Sequence, residues 1–162
     1  RLSQLDEGDP LPWEQVDIPA LCRDIAADLR DKAEKSQVSL TVEGQDVQAE
    51  GVRRLLHETI YNLCDNAIKY NVPGGNVAVS VWQNGPTTTL SVVDTGIGIP
   101  YADQSRVFER FYRVDKSRSK ATGGTGLGLA IVKHIAVLHG ARIDLESTVG
   151  TGTTIRIIFP KM

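Results

Sequence analysis

The sequence predicts an α+β fold, a two-layer sandwich with helices on one face of a mostly antiparallel sheet. Segments alternating apolar and polar residues occur as neighbours joined by short turns, as hairpins do, and no regular strand–helix–strand repeat runs along the chain. Between them lie runs with apolar residues at helical spacing. With 162 residues, 41% of them hydrophobic and 23% charged, the chain can bury one sizeable core.

The chain opens on "RLSQLDEGDPLPWEQ", where Leu2 and Leu5 keep a helical spacing that stops at Gly8 before Pro10 and Pro12. Residues 1–16 therefore read as the tail of an upstream helix plus a linker, which makes the chain a fragment, and 17–160 read as the domain. Asp17 is placed as N-cap of the helical run "IPALCRDIAADLRDKAEK". "QVSLTVEG" reads as a strand and "VQAE" as a shorter extended piece. "GVRRLLHETIYNLCDNAIKYN" is a long helix stopped by Asn71, Pro73, Gly74 and Gly75. "NVAVSVWQN" and "TTTLSVVD" alternate across Asn84-Gly85-Pro86 as a hairpin. After a glycine-rich turn and a polar segment over 101–124, "GLGLAIVKHIAVLHG" is a helix stopped by Gly140. "ARIDLEST" and "TGTTIRIIFP" form a second hairpin across Gly150.

Composition narrows the function classes. A net charge of −2 argues against bulk attraction to nucleic acid or anionic membrane. No apolar run approaches the roughly 20 residues of a membrane span, and no signal peptide is visible. Cys22 and Cys64 lack a CxxC pattern or histidine partner and read as buried hydrophobes in a reducing, cytoplasmic setting.

Three local features point to a ligand. On the long helix, Glu58, Asn62, Asn66 and Lys69/Tyr70 share one face, opposite Leu56, Ile60, Leu63 and Ala67. Solvent faces favour Glu, Lys and Arg, whereas each Asn costs up to roughly 0.7 kcal/mol against Ala. A row of amide oxygens ending in a cation suits a Mg2+-phosphate ligand, though a solvated face is the plain alternative. In "DTGIGIP", Asp94 ends a strand where its carboxylate can accept from an amine; Gly96 and Gly98 let backbone approach a flat base, and Ile97 and Ile99 offer apolar contact. An Asp-Gly turn capping a strand is the structural alternative. "GGTGLGLA" is neither a GxxxxGKS/T nor a GxGxxG loop, yet glycines just before a helix expose N–H groups beside its positive end. Gly126 and Gly128 would cost about 1 kcal/mol each in the first helical turns, a cost that close approach to a phosphate would explain.

Together "NLCDNAIKY", "DTGIGIP", "VFERFYRVD", "GGTGLGLA" and "GTGT", in that order, resemble the ATP-binding catalytic domain of bacterial sensor histidine kinases, within the gyrase–Hsp90–histidine kinase–MutL (GHKL) superfamily. "IYNLCDNAIKYN" and "FERFYRVDKSRSKATGGTGLGLAIVKH" most resemble its phosphate-responsive PhoR-like branch. The resemblance implies the Bergerat fold, with a mixed sheet, and a mobile lid over about 101–124. It implies Mg2+ ligation by Asn62 and Asn66, with Asn66 the more direct ligand. Lys69 would reach the phosphates, Tyr70 flank the adenine and Asp94 read its amine, with Gly96, Gly98 and Ile99 shaping the base pocket. Phe108, Phe111 and Tyr112 would anchor the lid. Arg113 and Lys116 would meet phosphates, and Gly124, Thr125, Gly126, Leu127 and Gly128 would cradle them. Thr153 would support Asp94 through its hydroxyl, and Glu58 would orient or deprotonate the acceptor histidine.

Where hydrolysing relatives carry a glutamate to activate water, this chain has Asn62, which cannot act as a base; transfer to a protein histidine is favoured over hydrolysis. The acceptor itself is expected on a separate dimerisation domain upstream. His57-Glu58 mimics an acceptor motif without the usual Thr/Asn-Pro, and His134 and His139 read as flanking a helix C-terminus, where positive charge is favourable. The implied partners are that acceptor domain and a response regulator, with no nucleic acid. The implied setting is the cytoplasmic part of a membrane-anchored kinase, monomeric alone and homodimeric at full length. The alternatives are a gyrase- or MutL-like ATPase and an anti-sigma-factor Ser/Thr kinase.

Overall fold

The structure, a computed structural model, describes residues 10–110, 112 and 128–160. In chain order the elements are β1 (Trp13–Asp17), α1 (Ile18–Asp28), α2 (Arg30–Lys35), β2 (Ser39–Gly44), β3 (Gln48–Val52) and α3 (Arg53–Lys69). They continue with β4 (Asn76–Asn84), β5 (Thr87–Asp94), the short α4 (Tyr101–Gln104), α5 (Gly128–Leu138), β6 (Arg142–Thr148) and β7 (Gly152–Phe159). Five strands form one sheet in the order β2-β4-β5-β7-β6. Strand β2 pairs with β4 in parallel, and the other three pairings are antiparallel, so the sheet is mixed and mostly antiparallel.

The helices cover the sheet because each presents one apolar stripe. On α3, Leu56, Ile60, Leu63 and Ala67 are buried. They join one core with Leu21 and Ile25 of α1 and Val77, Val79, Val81, Leu90, Val92, Ile155 and Ile157 of the sheet. Along β4 those valines alternate with half-buried Ala78, Ser80 and Trp82, as expected of a strand with one face packed. Cys22 and Cys64 lie in the same core, and burial pushes both thiols up to about 12. Asp17 caps α1, accepting the Ala20 N–H at 3.0 Å. The run read as one helix over 18–35 is interrupted at Leu29, where the backbone leaves helical geometry (φ −94°, ψ 1°).

The linker reading of residues 1–16 needs correction from Trp13 onward. Trp13–Asp17 pairs antiparallel with β3, Trp13 opposite Val52 and Asp17 opposite Gln48, and Val16 is buried in the main core. A five-residue strand close behind two prolines shows no legible alternation, so only its distant partner defines it.

His139 follows the last residue of α5, as expected, but its charge state differs. Rather than a charged group at a helix end, it is a buried neutral imidazole. Its Nε2 accepts the Val52 N–H at 3.1 Å and its Nδ1 lies 2.8 Å from the Ile135 carbonyl, so Nδ1 carries the proton. Trp13 lies 4.9 Å from its ring and Phe159 meets it edge-on. Desolvation pushes its pKa below the usual histidine value, outweighing the Ile135 hydrogen bond. Because the unfolded chain then binds the proton more readily, stability is full above the unfolded pKa of about 6.5 and declines as pH falls below it. Urea denaturation should show wild-type stability falling from pH 7.5 to 5.5 by more than that of a His139→Gln variant; equal slopes would contradict the neutral, buried assignment.

Candidate functional site

The turn after β5 and the start of α5 lie beside the polar face of α3, and the β6–β7 hairpin packs on that turn. Glu58, Asn62, Asn66, Lys69 and Tyr70 are all half-buried along that face. The Asn62 amide nitrogen donates to the Glu58 carbonyl at 2.8 Å, which turns the Asn62 Oδ1 away from the helix axis. A Cβ on Gly128, the first residue of α5, would stand 3.3 Å from that oxygen and 3.6 Å from the Asn66 amide nitrogen. The glycine thus leaves open the space that both asparagines face.

The turn is stitched to both sides. The Ile97 N–H donates to the Tyr70 carbonyl at 3.0 Å, and the Gly150 N–H donates to the Ile97 carbonyl at 2.9 Å. Asp94 is half-buried; its Oδ1 accepts from the Gly96 N–H at 2.8 Å and the Thr153 N–H at 3.2 Å. Desolvation pushes the Asp94 pKa up, and those two donors pull it partly back. Both of these donors occupy Oδ1.

One expectation changes here and another is widened. Thr153 supports Asp94 through its backbone N–H, because its hydroxyl is 2.7 Å from the Ser147 Oγ. Gly96 and Gly98, expected to shape a base pocket, are also required by the protein's own packing. A Cβ on Gly96 would lie 2.4 Å from the Tyr70 carbonyl, and one on Gly98, at φ 77°, would lie 2.2 Å from the Thr148 carbonyl. Gly98→Ala combines a strained left-handed residue with a backbone clash and should destabilise by about 1–3 kcal/mol. Thermal denaturation checks this, and an unchanged Tm would mean that the turn can move off the hairpin freely.

Lys69, expected at phosphates, lies 3.1 Å from Asp65 one turn before it. Asp65 also holds Lys32 of α2 at 2.9 Å. Tyr112, expected to anchor the lid, donates its hydroxyl to Asp103, and the Arg106 guanidinium stands 4.5 Å above its ring. Phe108 is half-buried beside buried Val107. Phe111, Arg113, Lys116, Gly124, Thr125, Gly126 and Leu127 lie outside the described residues.

Ser147 and Gln104 escaped the sequence reading. The Ser147 Oγ accepts from the Ile99 N–H at 2.8 Å, while the Gln104 amide donates to the Ile99 and Ser147 carbonyls at 2.9 and 3.1 Å. A serine in a β hairpin and a glutamine in a one-turn helix carry no motif. Among the described residues, no group of three or more His, Cys, Asp and Glu could hold a metal ion.

Residues 51–162 match the family described as histidine kinase-, DNA gyrase B-, and HSP90-like ATPase. The chain belongs to this ATPase family. SenX3, a sensor-like histidine kinase of Mycolicibacterium smegmatis, is 43% identical over 162 residues, covering 99% of this chain and 42% of SenX3. The phosphate regulon sensor protein PhoR of Pseudomonas aeruginosa is 45% identical over 113 residues, 70% of this chain and 26% of PhoR. Among solved structures, the mycobacterial sensor histidine kinase MprB superposes with a TM-score of 0.80 at 31% identity, over 92% of this chain and 97% of that one. The chain thus corresponds to the ATPase domain of sensor histidine kinases and spans about two-fifths of SenX3. Among its described residues, no helix of this ATPase domain is long and apolar enough to cross a membrane.

Proposed function

We propose that this ATPase domain binds Mg-ATP and transfers the γ-phosphoryl group to a histidine on a separate dimerising domain. The observation that carries the reading is that Asn62 and Asn66 both face the Cβ-free start of α5, while the turn after the half-buried Asp94 is hydrogen-bonded to Tyr70 at the end of the same helix. The donor set fits Mg2+, which needs only a few protein oxygens when phosphates and water complete its shell. Asn62 and Asn66 would hold the ion, which when bound would neutralise charge on the polyphosphate. Asp94 Oδ2 accepts from the adenine amine, Tyr70 and Ile99 border the base, and the α5 N-terminus receives phosphate oxygens.

Glu58, one turn before Asn62, faces the same side and orients the incoming imidazole. An imidazole nitrogen attacks the γ-phosphorus in line, the bond from that phosphorus to the β–γ bridging oxygen breaks, and ADP leaves. Asn62 gives water no base, so transfer is favoured over hydrolysis. Arg113, Lys116, Gly124, Thr125, Gly126 and Leu127, by the resemblance in sequence, would contact the phosphates. The acceptor domain belongs to the same polypeptide, a response regulator is the next recipient, and the domain works on the cytoplasmic side of a membrane-anchored homodimer.

A steady-state hydrolysis assay of the chain alone tests this reading. Turnover is expected to be negligible without an acceptor. Appreciable release of inorganic phosphate would favour a gyrase- or MutL-like ATPase.

A further inference from the structure

Asp65 lies at the edge of the polar stripe of α3, one turn before Lys69, and is buried, yet it holds two lysines. Lys69 approaches from one turn later on the same helix, at 3.1 Å to Oδ2, and Lys32 reaches across from α2, at 2.9 Å to Oδ1. The side chains are 12% exposed for Asp65, 22% for Lys69 and 45% for Lys32. A nearly buried carboxylate needs one cation for neutrality, and the second leaves a net charge of +1 at the end of the stripe.

We propose that Lys32 is a positioning residue for polyphosphate binding: by holding the Asp65 carboxylate across the α2–α3 contact, it leaves the Lys69 ammonium available to the nucleotide's phosphates. This rests on the reading above that Lys69 meets phosphate. With Asp65 and Lys69 alone, the pair would be neutral, and turning the ammonium towards a phosphate would strip a buried carboxylate of its partner, an expensive step. With Lys32 in place the carboxylate keeps a charge-assisted hydrogen bond whichever way Lys69 turns. Lys32 thereby affects phosphate recognition without touching the ligand.

Titration calorimetry of the chain with ATP and with adenosine tests the proposal. Lys32→Gln, which keeps most of the apolar stem, should weaken ATP binding by about five-fold, the scale of one screened charge pair. Adenosine affinity should stay unchanged, and Lys32→Arg should restore ATP binding. In an Asp65→Asn background, which releases Lys69 from its carboxylate, Lys32→Gln should have no further effect. Equal weakening of ATP and adenosine, or the same loss in both backgrounds, would make Lys32 merely structural and overturn the proposal.

Lys69→Ala separates the two layers of inference. If it weakens ATP but Lys32→Gln does not, the proposal alone falls. If Lys69→Ala leaves ATP binding unchanged, the phosphate-contacting reading of Lys69 falls and takes the proposal with it.

Discussion

Asn66→Ala is expected to lower phosphoryl transfer by on the order of a hundred-fold or more while the domain stays folded. The loss follows from removing an oxygen ligand to an ion that stabilises transition-state charge by several kcal/mol. Folding should be spared because Asn66 sits on the half-buried polar face of α3, whereas Leu63 and Ala67 on the buried face keep their packing. Its backbone carbonyl, which accepts from the Tyr70 N–H at 3.1 Å, is retained in alanine. Alanine is also the better helix former, by up to about 0.7 kcal/mol. Transfer of labelled γ-phosphate to an acceptor domain, measured beside a melting curve, checks both halves. Wild-type transfer by a folded Asn66→Ala protein would remove Asn66 from the site.

Asp94→Asn should weaken ATP binding by about 10- to 100-fold, the equivalent of one charged hydrogen bond of about 1.5–3 kcal/mol. The direction follows from how the carboxylate is used. Oδ1 is occupied by the Gly96 and Thr153 amides, so an asparagine keeps its oxygen there to satisfy them. Its amide nitrogen then replaces Oδ2 and meets the adenine amine donor to donor. Because the two backbone contacts survive, the melting temperature should change little. Isothermal titration showing unchanged affinity would place the base elsewhere.

Much of this site was legible because its parts are local. The strands "NVAVSVWQN" and "TTTLSVVD" coincide with β4 and β5, since alternation and the Asn84-Gly85-Pro86 turn lie within one hairpin. The stripe from Glu58 to Tyr70 follows from helical spacing alone. Contacts between distant segments were not legible. Lys32 and Asp65 are 33 positions apart, His139 and Val52 are 87, and nothing in either local sequence announces the partner. Thr153 was found, but its working atom is a backbone N–H fixed by the β5–β7 register, in which Asp94 stands opposite Thr153. The glycines of "DTGIGIP" were read as letting backbone approach a flat base, and the protein's own backbone also comes close to them. Which backbone approaches them, Tyr70 for Gly96 and Thr148 for Gly98, is decided by tertiary packing.

Transfer to histidine can be measured by mixing the chain with Mg2+, γ-labelled ATP and a separate domain carrying the phosphoacceptor histidine. The linkage formed is then assayed for acid and alkali stability. The expected product is an acceptor phosphate that is lost in acid and survives alkali, appearing only when both domains are present. Acid-stable label on the acceptor, or steady phosphate release by the chain with no labelled acceptor, would contradict it.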